Sequence, residues 1–253
     1  MWPILAAAAG GLLVGSFANV VIHRVPARAS ILRPGSRCPS CDTPIRPRDN
    51  IPVLSWLLLK GRCRACRAPI GGRYPAVEIL TAAVFALTAW RLDPIELIAF
   101  LPLMWVLVVL TFIDIDHKIL PNRIVLPSAV AFLALLAIVV ALDGTWADWL
   151  RAVGGGAAAF TTLLVVALIY PAGMGFGDVK LAIVLGSALG YLGWAVIYVG
   201  FFLSFLIGAL GGLAMVLARR AGMKSQIPFG PYLALGSVVG VLWGSDIARA
   251  WLG

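Results

Sequence analysis

Residues 95–122 read IELIAFLPLMWVLVVLTFIDIDHKILPN, in which nineteen residues with one charge, Glu96, run to Ile113 and then stop on two aspartates, Asp114 and Asp116. A helix needs about 20 mostly apolar residues to cross the hydrocarbon core of a bilayer, so the stretch predicts a membrane span with acids at its end. Seven comparable runs surround it, at 4–22, 76–90, 124–142, 152–170, 179–192, 194–217 and 229–251. Those at 76–90 and 179–192 are short, and the break near Gly193 is the weakest, so the expectation is about eight spans, with seven as the alternative. Continuous apolar runs also argue against a β-barrel, whose strands alternate over roughly ten residues.

Composition agrees with a life in the bilayer. The chain has 253 residues, 61% of them hydrophobic, a mean hydropathy of +0.98 and 12% charged residues, about half the ~25% usual in soluble domains. A water-soluble fold and a disordered chain, which is poor in apolar residues, are both excluded. The expected fold class is an all-α polytopic membrane protein of about eight transmembrane helices, with a cytoplasmic zinc-binding loop after the first. Its expected domains are a first transmembrane helix (1–22), a basic loop (23–74) and a seven-helix membrane domain (75–253). No internal repeat is expected.

The net charge of +9 is concentrated in one place. Between His23 and Tyr74 lie eleven Lys or Arg against two acids, Asp42 and Asp49. By the positive-inside rule this loop is cytoplasmic, which puts the N-terminus outside. Met1, Trp2 and Pro3 lack the basic start of a cleavable signal peptide. Alternating the spans then places Lys118 and Arg123, and Arg219, Arg220 and Lys224, inside, with Asp93, Glu96, Asp143 and Asp148 outside. The basic charge therefore reads as topology and attraction to anionic membrane lipids, and no nucleic-acid partner is expected.

The same loop carries all four cysteines, as CPSC at 38–41 and CRAC at 63–66 with 21 residues between the pairs. Two thiolates three positions apart can grip one ion from a tight turn, and a second pair completes a closed tetrahedral site. Cys38, Cys41, Cys63 and Cys66 are thus candidate ligands of a structural zinc. Disulfides fit a reducing cytoplasm poorly, and idle thiols rarely fall into two such pairs. A loop this small has too little core to fold alone, so the metal would be its staple. Arg37, Arg62, Arg64 and Arg67 would offset the negative charge of the four thiolates.

Acids within or at the edge of apolar runs are costly and usually have a partner or a task. Four qualify: Glu78, Asp114, Asp116 and Asp178. Glu78 follows Tyr74 and Pro75 near the start of a run, where a helix N-terminus favours a carboxylate, and a cap or a structural hydrogen bond is expected of it. Asp114 and Asp178 both fall on the cytoplasmic side at similar depth, which allows an acid pair sharing one proton, as in aspartic proteases. Such a pair can hydrolyse a peptide: one carboxylate takes a proton from water while its protonated partner donates to the carbonyl oxygen. The glycines at 173–177 would let an extended substrate backbone come close. Paired acids also serve proton-coupled transport, and isolated ones cap helices. A transporter using Asp114 and Asp178 is the alternative function, and a membrane-anchored zinc adaptor a third class.

Taken in order, GSFANVVIHR at 15–24, the two CxxC pairs, YPAVE at 74–78, Asp114 through Leu120, Pro121 and Asn122, GFGDVK at 175–180 and IPFGP at 227–231 resemble the bacterial prepilin leader peptidases of type IV pilus and type II secretion systems. The resemblance covers nearly the whole chain. It implies an eight-helix aspartic peptidase of the bacterial inner membrane, multi-pass with a periplasmic N-terminus. Such an enzyme cuts the basic leader from prepilins or pseudopilins at the cytoplasmic face, and many then methylate the new N-terminus with S-adenosylmethionine. The catalytic pair implied is Asp114, seven positions before Pro121, and Asp178 of the GxGD motif; Asp116 is the rival in the first motif. Ala18 and Asn122 depart from the Leu and Asp common in bacterial members. No glycine-rich dinucleotide fingerprint is present, so the residues that would bind the methyl donor stay unassigned and methylation rests on the resemblance.

Overall fold

The computed structural model describes residues 1–171, 174–218 and 228–252. Gly173, Arg219, Arg220, Lys224 and Ile227, named above, lie outside them. Among the described residues the chain is helical, with no strand and only two isolated bridges. The α-helices are α1 (Trp2–Arg24), α2 (Leu54–Leu58), α3 (Arg73–Arg91), α4 (Leu97–His117), α5 (Asn122–Asp143), α6 (Trp146–Ile169), α7 (Phe176–Leu192), α8 (Trp194–Leu217) and α9 (Gly230–Leu252). A single 3-10 turn covers Pro47–Asp49.

Each apolar run of the sequence becomes one long helix, but among the described residues only six helices, α1, α4, α5, α6, α8 and α9, are long and apolar enough to cross a membrane by themselves. The two that are not, α3 and α7, are the two short runs. At 17 residues, α7 reaches about 26 Å, a little less than the ~30 Å hydrocarbon core. It is also the helix most enclosed by others, contacting α5, α6, α8 and α9. The expected count of about eight spans is therefore matched as long helices and not, for α3 and α7, as independent spans. The break at Gly193 is real: with φ 150° and ψ 155°, a conformation closed to side-chain-bearing residues, it ends α7 and opens α8.

The chain forms two compact units, residues 1–94 and 95–253. In the first, α1 packs along α3 with the cysteine loop between them in sequence. The helices touch through small residues: a Cβ on Gly11 would lie 2.7 Å from the Ala82 Cα, and one on Gly15 2.9 Å from the Glu78 Cα. In the second, α6 pairs with α7 and α8 with α9. A Cβ on Gly155 would meet the Gly186 carbonyl at 2.5 Å, and one on Gly240 would meet the Gly200 Cα at 2.9 Å. Close backbone approach through small residues is how helices associate where lipid removes the hydrophobic drive. Arg151 of α6 then covers the end of α7, its Nε donating to the Gly190 carbonyl at 2.8 Å and its Nη2 to that of Tyr191. These are carbonyls a helix leaves unpaired, and they sit at the end of its dipole that attracts cations. Large side chains such as Val130, Leu168, Ile169 and Tyr198 are more than 60% exposed, an arrangement suited to lipid and not to water.

Candidate active site and metal centre

The first candidate site lies in residues 95–253, where α4 ends and α5, α7 and α9 begin. Successive helices run back and forth, so these four termini fall at one end of the unit. Asp114 occupies the last turn of α4, which closes with Lys118 at φ 54° donating its N–H to the Asp114 carbonyl at 2.9 Å. The Asp114 side chain is 5% exposed, and its Oδ2 accepts the N–H of Gly230, first residue of α9, at 3.1 Å. A Cβ on Gly230 would lie 2.7 Å from that oxygen, so only glycine lets the amide approach.

Asp178 sits in the first turn of α7, 7% exposed, with its own N–H on the Gly175 carbonyl at 3.0 Å. Its Oδ1 is buried without a hydrogen-bond partner among the described residues, which marks a position where water or a substrate group belongs. Leu120 joins the two acids. A Cβ on Gly177 would be 3.0 Å from Leu120 Cβ, and one on Gly230 3.5 Å from Leu120 Cδ1. The two carboxylates lie within electrostatic reach of each other.

The structure thus brings Asp114 and Asp178 together and leaves Asp116 on an exposed face of α4, as two residues along a helix turn a side chain by about 200°. Glu78 belongs to the other unit, where its Oε2 accepts the Val53 N–H at 2.7 Å. It is a tie between α3 and the loop, the structural hydrogen bond that is one of the two readings expected of it. The spaces beside Gly175 and Gly177 are taken by Asp178 Oδ2 and Leu120, so these residues set packing within the site. Gly230 and Leu120 carried no role in the sequence reading. Neither did the link from Lys180 Nζ to Asn122 Oδ1, 2.9 Å long, which joins α7 to the start of α5.

The second candidate site is the cysteine loop. Contrary to expectation, it contains a repeat: RCPSCDTPI at 37–45 and RCRACRAPI at 62–70 fold alike. In each, the first cysteine's N–H meets the carbonyl five residues on (Thr43 or Ala68) and its carbonyl accepts the N–H four residues on (Asp42 or Arg67). Asp42 and Arg67 take the same positive φ, 53° and 62°, and Arg37 bridges to Pro44 as Arg62 does to Pro69. Facing each other, the two turns put all four sulfurs within 4.8 Å of one another, with Cys38 and Cys66 3.8 Å apart. A tetrahedron of thiolates at about 2.3 Å from zinc has edges of about 3.8 Å, whereas a disulfide needs about 2.05 Å. The four cysteines can bind a metal.

Hydrogen bonds from Thr43 pull the Cys41 thiol down to about 6. Cys66 is pushed up to about 11 against a favourable backbone bond at Ala68, chiefly by neighbouring Cys41 and by burial. Of the four arginines expected to balance the thiolates, two are engaged elsewhere. Arg37 pairs with Asp42 at 2.7 Å, and Arg64 forks onto Asp49 at 2.6–3.0 Å, holding the Asp49 carboxyl below its ordinary range through those hydrogen bonds.

Residues 10–92 match the bacterial Peptidase A24 N-terminal domain and residues 101–213 the type IV leader peptidase family, one within each compact unit. A prepilin leader peptidase/N-methyltransferase of Aeromonas salmonicida (strain A449) is 39% identical to this chain, covering 95% of it and 91% of the relative. Proteins of the same name from Pseudomonas aeruginosa and Bacillus subtilis (strain 168) are 36% and 37% identical, covering 96% of this chain and 91% and 95% of their own. No solved structure gives a significant match. Nothing in these likenesses favours a transporter, and with both domains matched in order the chain belongs to the type IV leader peptidase family.

Proposed function

We propose that this protein is an aspartic endopeptidase of the bacterial inner membrane that removes the basic leader from type IV prepilins or type II pseudopilins. Asp114 and Asp178 are its catalytic acids. The observation that carries this is their convergence, both buried, at the Leu120–Gly230 junction of three helix ends. Two carboxylates at close range cannot both ionise freely, so one keeps a proton. The ionised member takes a proton from the attacking water, and the protonated one donates to the scissile carbonyl oxygen. The Gly230 N–H fixes one oxygen of Asp114, leaving the other for water, while the unpartnered Oδ1 of Asp178 faces the remaining role. The residues named here for cleavage all lie within 95–253.

The four cysteines suit a structural zinc, a closed site with no place for water. After cleavage the new N-terminus is methylated with S-adenosylmethionine, as the names of the relatives suggest. The basic loop is cytoplasmic and the N-terminus periplasmic, so a reporter fused after Ser30 reads inside and one after Gly144 outside. The deciding experiment is to incubate the purified protein in detergent with a prepilin and follow its mass. Loss of the leader, then a gain of one methyl group with the donor present, is expected; an intact prepilin overturns the assignment.

A further inference from the structure

Within residues 1–94, between the start of α3, the last turns of α1 and the cysteine loop, lies a cavity of about 570 Å³. That is within the roughly 300–1,000 Å³ of small-molecule sites, and nothing in the peptidase mechanism uses it. Its wall includes Asn19, Arg46, Trp56, Tyr74 and Glu78. Glu78 is 8% exposed and accepts the Val53 N–H at 2.7 Å and a hydrogen bond from Ser16. A carboxylate has about four acceptor positions, so it keeps capacity for a cation in the cavity.

The backbone that Glu78 holds is strained. Val53 has φ 60° and ψ −51°, and Leu54 donates to the Pro52 carbonyl across it. That is a positive-φ γ-turn on a β-branched residue, a rare and costly conformation. Strain of this kind persists where surrounding structure enforces it, commonly at ligand sites. Trp56 is fixed as well, its Nε1 donating to the Ile70 carbonyl at 3.0 Å.

We propose that this cavity binds S-adenosylmethionine, with Glu78 receiving its cationic end, Arg46 its carboxylate, and the Trp56 and Tyr74 rings its purine. The assignment rests on the methyl-transfer activity proposed above and gives residues 1–94 that task. The donor carries a sulfonium, an ammonium, a carboxylate and a flat base, and the wall offers a carboxylate, a guanidinium and two aromatic rings. The wall also carries Arg24, Arg37 and Arg64, but these are engaged with the Ser30 carbonyl, Asp42 and Asp49, and a phosphate-bearing lipid headgroup would have to set its phosphate beside the buried Glu78 carboxylate. Cation–π contact also suits a sulfonium.

The test uses the full-length protein in detergent and S-adenosylmethionine carrying a tritiated methyl group. Ultraviolet crosslinking should place the label in peptides from residues 16–78 of the wild type. Equilibrium binding should weaken at least about tenfold in Glu78→Gln and in Arg46→Ala, the loss of a charged hydrogen bond, with zinc content and melting temperature unchanged as controls on folding. Label confined to residues 95–253, or wild-type affinity in both variants, overturns the assignment while leaving methyl transfer standing. Absence of donor binding together with absence of methylation on a cleaved pilin removes the methyl-transfer reading and this site with it.

Discussion

The four sulfurs of the loop are held by two copies of one nine-residue turn lying 25 positions apart, whereas Asp114 and Asp178 stand 64 positions apart on the ends of different helices. In the loop, each turn makes its own hydrogen bonds, and a metal ion held by the four sulfurs would join them. In the helical unit, neither acid has its setting until α4, α7 and α9 have packed, with Gly230 contributing from 116 positions beyond Asp114. The first kind of site would depend on its metal, and the second depends on where the ends of three helices come to lie.

The largest effect separates chemistry from packing. Asp114→Asn and Asp178→Asn should each lower leader cleavage by about 10²–10⁴, the usual worth of general acid–base catalysis, while the protein stays inserted and melts as before. Asn keeps the size and one acceptor oxygen but cannot share the proton. Asp116→Asn, on the exposed face, should cleave within about threefold of wild type. Mass spectrometry of a prepilin reaction measures all three, and an inactive Asp116→Asn beside an active Asp114→Asn would move the catalytic role by two positions.

Next comes the metal. Cys38→Ser combined with Cys63→Ser takes one sulfur from each turn, and should abolish zinc binding, read by elemental analysis of the purified protein. Structural zinc contributes about 10–16 kcal/mol of apparent binding free energy in small domains, far more than two short turns can replace. The loop should then become open to proteolysis between residues 30 and 72. Cleavage of the leader should persist within about tenfold, because none of the residues proposed for cleavage lies in the loop. Equal loss of zinc and cleavage would show that the two regions are not separable.

These two regions were also unequally legible in sequence. All four cysteines could be picked out because their relation is local: the spacing within each turn is itself the geometry. Asp114 and Asp178 stood out because they are charges closing apolar runs. Leu120 and Gly230 did not, since what matters is the space each occupies or leaves free beside a carboxylate brought in from elsewhere. The repeat escaped because only five of nine positions agree, and the position needing positive φ holds Asp42 in one turn and Arg67 in the other. Helix number was visible as runs, yet the enclosure of α7 was not, because it depends on which neighbours wrap a helix of 17 residues.

Gly230→Ala tests the claim that the helical site depends on fine placement. The added Cβ would come within 2.7 Å of Asp114 Oδ2, so either the carboxylate turns away or α9 shifts. Displacement of about 1 Å can cost 10²-fold in rate. Cleavage should therefore fall by roughly ten- to a hundredfold, with kcat reduced more than KM is raised. A variant as fast as wild type would mean that the Gly230 amide does not orient Asp114.

The smallest effect concerns Asn122, which accepts from Lys180 Nζ at 2.9 Å and so links the start of α5 to α7 near both acids. Asn122→Asp restores the acid that the resemblance makes common at this position, turning a neutral acceptor into an ion pair. It also places a negative charge at the first residue of α5, where the helix dipole favours it by about 0.3–1 kcal/mol. The melting temperature should rise by about a degree or two, and cleavage should stay within about twofold. The new charge is met by Lys180, so it should not add to the field between Asp114 and Asp178. If the pH dependence of cleavage shifts instead, Lys180 is acting on the catalytic pair and the link is part of the active site. An unchanged profile leaves it as a strap between two helices, the helical unit's long-range counterpart of the Arg64–Asp49 fork that ties the second cysteine turn to the rest of the loop.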